Sequence, residues 1–231
     1  YLGRPAPVFD LDPLHVLQLI SEMNRGLEYP AGSGTIRHQP SNFFAGAVVS
    51  PFKATEAEQM AQYYKLKKKI AAGAQFIVTQ LGYDIRKFQE VLLFMKQNNV
   101  SIPLMGNIYI LPFTTAKMMN RNEFPGSIVT DKLLAEIDHE RTETDKGAGA
   151  KILRASRMYA IMKGMGFNGV HIGGHNIKYE QVEEIIQQGE TLVPQWTDLI
   201  RYFDYPIANG FYYFERDPGT GLNRENPSNR Q

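Results

Sequence analysis

The sequence predicts an α/β fold of (β/α)₈ TIM-barrel type, with this chain supplying about four βα units behind a leading helix and ahead of a C-terminal extension. Three observations predict it. Short apolar runs rich in Val, Ile and Phe alternate with longer stretches of helical periodicity. Capping residues and glycines stand at the junctions between them. The stretch Gly73 to Asp84 shows the pattern at its clearest, with a helix-stopping Gly, the run Phe76-Ile77-Val78, and a polar exit through Gln80, Gly82 and Asp84. A closed barrel needs eight strands and about 250 residues, so four units make half of one. Either the sheet is open, or the other half is a second chain, or it is a segment N-terminal to Tyr1. The last is favoured because the chain opens on a helix with no strand before it.

Residues 1–9 hold Pro5 and Pro7 and read as extended. Asp12 as N-cap and Pro13 at the first helical position then start a helix that carries Leu14, Leu17 and Ile20 inward and stops at Gly26. The Gly-, Pro- and Ser-rich stretch 29–39 reads as a loop, and 43–49 as a buried strand ended by Ser50-Pro51. Thr55 with Glu58 forms a capping box for a helix over 56–72, whose inward residues are Met60, Tyr63, Leu66 and Ile70. After the strand at Phe76, Asp84 caps a helix carrying Phe88, Val91, Leu92 and Met95 and ending near Asn98 or Asn99. A strand follows over 102–111, then a short helix over 113–120, a turn at Phe124-Pro125-Gly126, and a second short helix from Thr130 or Asp131 to Ile137. The charged segment 139–146 is solvated. A helix over 148–165 closes at Gly164 and Gly166, the last strand is Val170-His171-Ile172, and a helix spans 179–188. Two regions result: 1–190, the half-barrel, and 191–231, an aromatic, turn-rich extension with a polar end from Asp217, which wraps a surface groove and has a disordered tip.

Of the 231 residues, 43% are hydrophobic and 21% charged, which suits a globular domain with a substantial core. The formal net charge of +1 gives no global electrostatic attraction to nucleic acid or to a membrane surface. With no cysteine there is no disulfide framework, thiolate metal site or cysteine nucleophile, and a cytoplasmic setting fits. No apolar run is long enough to span a bilayer. Five scattered histidines form no metal-binding pattern, and no phosphate-binding glycine loop or Gly-x-Ser-x-Gly is present.

The candidate site residues come from the strand ends and from one basic helix. Gln80 stands at the carboxyl end of a strand, where ligands gather in parallel α/β folds; its amide both donates and accepts, so it either contacts substrate or ties down a loop. Lys65, Lys68 and Lys69 share one side of the helix over 56–72. They either converge on an anion or form an ordinary solvated face.

Phe9-Asp10-Leu11-Asp12, the run from Lys65 through Lys69 to Ala74, and Val78-Thr79-Gln80 together resemble the methylenetetrahydrofolate reductase family from about Phe9 to Gly189. The resemblance implies the last four strands of a flavin-dependent (β/α)₈ barrel that reduces 5,10-methylenetetrahydrofolate to 5-methyltetrahydrofolate, an oxidoreductase of one-carbon metabolism. It implies FAD as cofactor, a tetrahydrofolate substrate, NAD(P)H or another electron donor, and a homo-oligomer or partner subunit. The general acid falls in the N-terminal half, outside this chain. Phe9 and Asp10 match the pair that flanks the flavin, with Phe9 alternatively a staple for the helix that follows. Lys69 and Lys68 match the residues at the flavin phosphates, while Gln62 and Lys65 stand where the family more often has an acidic residue and an asparagine. Gln80 matches the glutamine that meets the pterin. Phe113 matches an aromatic that stacks on the aminobenzoyl ring, or else staples the start of its helix.

The last strand end departs from the family. His171 and Asn176 are kept, but Ile177 stands in place of the substrate-contacting arginine, behind Gly173-Gly174-His175. The two glycines could let a ligand approach closely, and His175 either titrates near neutrality at the site or is a hydrogen-bonded loop residue. The family's tyrosine and histidine flavin contacts are likewise replaced at Val49-Ser50-Pro51-Phe52-Lys53. These departures motivate an alternative: a non-catalytic or repurposed folate-binding or scaffold subunit of a methyl-transfer complex.

Overall fold

The computed structural model describes residues 10–227. At the start, the Asp12 carboxylate accepts hydrogen bonds from the N–H groups of Leu14 (2.8 Å) and His15 (2.9 Å), and these hold its pKa below the usual carboxylate value. Helix α1 (Pro13–Arg25) follows and stops at Gly26. The segment expected as a loop is instead an antiparallel hairpin, β1 (Glu28–Ala31) paired with β2 (Gly34–Arg37) and turned through Gly32 at φ 60°. Nearly all its residues are exposed, so no buried face imposes the alternation that identifies a strand from sequence.

The remaining order is β3 (Gly46–Val49), α2 (Glu56–Ala71), β4 (Phe76–Thr79), α3 (Ile85–Gln97), β5 (Leu104–Tyr109), α4 (Phe113–Asn120), α5 (Asp131–Glu140), α6 (Ala148–Met165), β6 (Gly169–Gly173), α7 (Tyr179–Leu192), α8 (Trp196–Leu199), β7 (Phe214–Arg216) and β8 (Asn223–Pro227). The expected capping box at Thr55 and Glu58 is formed at the start of α2.

Strands β3, β4, β5 and β6 make one parallel sheet in that order. Neighbouring parallel strands joined by right-handed crossovers in sequential order place every connecting helix on the same face. The burial pattern agrees. Val49, Ile77, Thr79, Leu104, Gly106 and Ile108 are buried, and Gly106 is in such close contact with α6 that a methyl group on it would sit 2.2 Å from the Met162 sulfur. On the opposite face, Val48 pairs with Val78, Val78 with Met105, and Asn107 with His171, and these residues are half-buried or exposed. Val48 is 50% exposed. At the amino end of that face the Phe76 ring lies over Gly46 and stacks on Phe44 at 5.3 Å. Among the described residues the sheet is open, with β3 and β6 at its edges.

The extension is joined to this core. Leu199, Ile200, Phe203, Tyr205, Phe214 and Leu222 pack in one hydrophobic cluster with the sheet and helices. A polar network on α3 binds the rest. Buried Glu90 accepts from the Tyr63 hydroxyl (2.8 Å) and the Tyr213 N–H (2.6 Å), and buried Lys87 donates to Glu90 (3.4 Å) and to the Phe211 carbonyl. Arg86 donates to Asn223 Oδ1 (3.1 Å), and Asn223 returns a bond to the Arg86 carbonyl (2.7 Å). The polar end from Asp217 continues through residue 227 as the turn and second strand of the β7–β8 hairpin, while residues 228–231, at the tip expected to be disordered, lie outside the described residues. The hairpin's polar sequence conceals a buried polar anchor beside Leu222, Asn223, whose amide meets the backbone of α3.

Candidate functional site at the carboxyl ends of the parallel strands

Gln80 lies one residue beyond β4. Its backbone N–H donates to the Val49 carbonyl (2.7 Å), which continues the strand pairing, and its side-chain oxygen accepts from the Leu81 N–H (2.9 Å). The Nε2 end points toward the α4–α5 connection, where a methyl group on Gly126 would sit 3.9 Å away. The amide thus uses its acceptor to fix the loop and turns its two donors toward the site.

Just past Gln80, Tyr83 is buried with its hydroxyl donating to the Tyr109 carbonyl (3.2 Å). Asp84 caps α3 by accepting from the Arg86 N–H (3.0 Å) and also accepts from the Tyr212 hydroxyl. Burial raises the Asp84 pKa, opposed by the Tyr212 hydrogen bond and by the charges of Lys87 and Arg86. The strand end that carries Gln80 is therefore held by a carboxylate in contact with the C-terminal extension.

Phe113 opens α4 after β5. The Arg141 guanidinium lies 4.0 Å above its ring, on the wall of a cavity of about 450 Å³ that Lys146 and Lys151 also line. One ring face is thus covered by a cation. His175 is exposed in the turn after β6, beside Asn176 in a left-handed conformation (φ 52°). Ile177 folds back, so that a methyl group on Gly174 would meet its side chain at 3.0 Å. This strand end exposes His175 and Asn176, with half-buried Ile177 packed on Gly174.

The histidine with a polar neighbour on the helix-free face is His171, whose Nδ1 is 3.3 Å from Asn107 Oδ1. Asn107 is held in turn by its N–H, which donates to the buried Thr79 hydroxyl (3.0 Å). Sequence reasoning passed over Asn107 and Thr79. The available signal was an asparagine inside an otherwise apolar strand; its place across from His171 is given by the β5–β6 register.

The basic helix divides. Lys69 is half-buried and donates to the Val48 carbonyl (2.6 Å) on edge strand β3, and desolvation followed by the nearby Lys65 charge lowers its pKa. Lys65 also lies close enough to Asp12 to lower that group's pKa. Lys68 turns aside, its amine 5.3 Å above the Tyr64 ring. Gln62 is half-buried and Asp10 exposed, while Phe9 lies outside the described residues. Lys69 and Asp12 are the charged residues lining a largely apolar cavity of about 590 Å³ between α1 and β3. The donor set suits a dinucleotide. An ammonium carries three donors and Lys69 spends one on Val48, so two remain for a pyrophosphate, with Lys65 one turn away and an apolar wall beside them. No group of His, Asp and Glu among the described residues is placed to hold a metal ion, and no helix among them is long and apolar enough to cross a membrane.

A sequence profile described as methylenetetrahydrofolate reductase matches residues 35–190. No curated protein matches the chain. One solved structure, of an uncharacterized protein from Clostridium thermocellum that binds two copies of 5-methyl-5,6,7,8-tetrahydrofolic acid, aligns at 13% identity with a TM-score of 0.42. The alignment covers 65% of this chain and 53% of that one, so the chain spans about half of that protein's length.

Proposed function

The chain belongs to the methylenetetrahydrofolate reductase family, and from that membership we propose a flavin-dependent reductase that converts 5,10-methylenetetrahydrofolate to 5-methyltetrahydrofolate in cytoplasmic one-carbon metabolism. In this reading residues 1–190 supply the last four βα units of a (β/α)₈ barrel and residues 191–231 brace them. The observation that carries it is the family match over residues 35–190, which spans all four parallel strands and includes Gln80 at a strand's carboxyl end.

FAD, when bound, would supply the hydride that the methylene carbon receives, with NAD(P)H or another donor replenishing it. Lys69 and Lys65 would hold the phosphates, with Lys68, Gln62, Phe9 and Asp10 contributing around them. Gln80 would present Nε2 donors to a pterin carbonyl or ring nitrogen, and its oxygen would exchange the Leu81 N–H for a pterin N–H. The Phe113 ring would stack on the aminobenzoyl ring at the cavity that it lines. His175 would lie at the rim, and the Asn107–His171 pair would line the floor. These groups bind and orient; proton donation would come from a residue outside this chain. A homo-oligomer or partner subunit would complete the assembly.

The test is purification of the product of the full-length gene. A flavin spectrum, together with calorimetric binding of 5-methyltetrahydrofolate that strengthens when FAD is present, is the expected result. A colourless protein that takes up no flavin would sink the reductase reading.

The second reading, a folate-binding or scaffold subunit of a methyl-transfer complex, is favoured by Ile177. Its side chain packs on Gly174 where the family has a substrate-contacting arginine. Folate binding indifferent to FAD is its signature in the same titration.

A further inference from the structure

Away from the strand ends, α5, α6 and the turn 200–203 enclose a cavity of about 320 Å³ whose lining is unusually cationic. Lys132, Arg154, Arg157 and Arg201 face two carboxylates, Glu136 and Glu140, leaving two positive charges in excess. Both carboxylates already have donors, since Glu140 takes Arg154 Nη2 and Glu136 accepts from the Tyr205 hydroxyl. The Arg154 side chain is only 9% exposed, and its Nη1 is buried with no hydrogen-bond partner among the described residues. A buried guanidinium nitrogen without an acceptor is costly, and such exceptions call for an explanation.

The other cations are pre-set. Arg157 lies 3.9 Å above the Tyr202 ring and Arg201 5.1 Å from the same ring, so two like charges are held against one aromatic with their N–H edges unspent on any carboxylate among the described residues. Lys132 is anchored through the Asp204 carbonyl (3.1 Å).

We propose that this cavity binds a phosphate-class oxyanion, either free or as the phosphate group of a small metabolite. Arg154 and Arg157 sit one turn apart on α6, and Arg201 approaches from the opposing segment. A tetrahedral dianion can meet guanidinium groups from several directions at once, whereas a single planar carboxylate offers two oxygens and half the charge. The excess of two positive charges matches the dianion. The volume exceeds what inorganic phosphate fills and lies at the small end of metabolite pockets.

Calorimetry of the full chain at low ionic strength, with inorganic phosphate and with glycerol 3-phosphate as probes, tests the proposal. Saturable one-to-one binding of at least one probe is expected, weakening about tenfold in Arg157→Gln and again as salt is raised. Tighter binding of glycerol 3-phosphate identifies a phosphorylated metabolite, and tighter binding of inorganic phosphate identifies the free anion. Arg157 is half-buried and outside the Arg154–Glu140 pair, so this variant keeps the fold; Lys67→Gln, exposed on α2 and bonded to Asn98, is the control that leaves binding unchanged. Absence of saturable binding of both probes would overturn the proposal. So would equal affinity in wild type and Arg157→Gln.

Discussion

Replacing Lys87 by Met tests whether the C-terminal extension is held by the polar network on α3. Lys87 is fully buried, and its amine meets Glu90 at 3.4 Å, Gln59 Oε1 at 3.4 Å and the Phe211 carbonyl. Methionine fills nearly the same volume, so the packing loss is small and the electrical loss dominates. Removing one member of a buried ion pair costs about 3–5 kcal/mol, because the survivor stays charged and buried. Here Glu90 keeps the Tyr63 hydroxyl and the Tyr213 N–H, which places the expected cost near the low end, about 3 kcal/mol. Urea unfolding followed by fluorescence of Trp196, the single tryptophan, reads it directly. In the double variant Lys87→Met, Glu90→Gln the survivor is neutral, so part of the loss returns and the two effects are non-additive. A cost below about 1 kcal/mol for Lys87→Met, or simple additivity in the double variant, would refute the claim that this pair is electrostatically coupled.

Two glycine substitutions compare the two faces of the sheet. Gly106→Ala drives a methyl group into buried Met162 and costs about 1–3 kcal/mol, whereas Gly46→Ala meets the half-buried Phe76 ring, which can swing out, and lowers the melting temperature less. Equal losses would contradict a helix-free face. Asp84→Asn tests the raised pKa of its carboxyl. The folded state binds that proton more readily than the unfolded one, so its contribution to stability falls as pH rises from about 4 through the folded pKa, and the variant flattens that fall in urea titrations across pH. Gln80→Ala, half-buried at the strand end, is expected to weaken 5-methyltetrahydrofolate binding about tenfold in calorimetry with an unchanged melting temperature; unchanged affinity would remove Gln80 from the site.

Elements held by local chemistry were legible in the sequence. Asp12-Pro13, Thr55 with Glu58, and Asp84 each announced a helix that the structure contains, and each cap is made by the expected oxygen. The hairpin at 28–37 was not legible, because an exposed strand pair leaves no hydrophobic period. Buried Lys87 and Glu90 were equally hidden. On a helix they read as a solvent-facing i, i+3 pair, and only the extension folding back from more than a hundred residues away makes them interior. The site was legible one strand end at a time. Gln80 could be singled out from its position after Val78 and Thr79, but the Asn107–His171 contact needs the β5–β6 register, which no local pattern specifies.

That register has a consequence for how the site strand is held. Val49, Thr79 and Tyr109 end neighbouring strands, and the bonds just beyond them, Gln80 N–H to the Val49 carbonyl and Tyr83 hydroxyl to the Tyr109 carbonyl, run across the top of the sheet on its carboxyl side. Four residues beyond Gln80, Asp84 takes the Tyr212 hydroxyl, and two further on Arg86 grips Asn223 and the Phe214 carbonyl (3.2 Å). Among the described residues β3 and β6 are edge strands, and such a sheet by itself does little to fix the angle of a strand-end loop. The extension supplies that constraint through its bonds to α3 and to the helix's capping residue Asp84. Weakening the clamp should therefore loosen the loop that positions Gln80 before it unfolds the sheet, since the clamp bonds lie at 84–90 while Ile77, Leu104 and Ile108 are buried on the central strands. In Lys87→Met, amide exchange should rise first at 80–86, with protection at 76–79 and 104–109 changing last; a uniform rise across all three segments would show that extension and sheet open as a single unit.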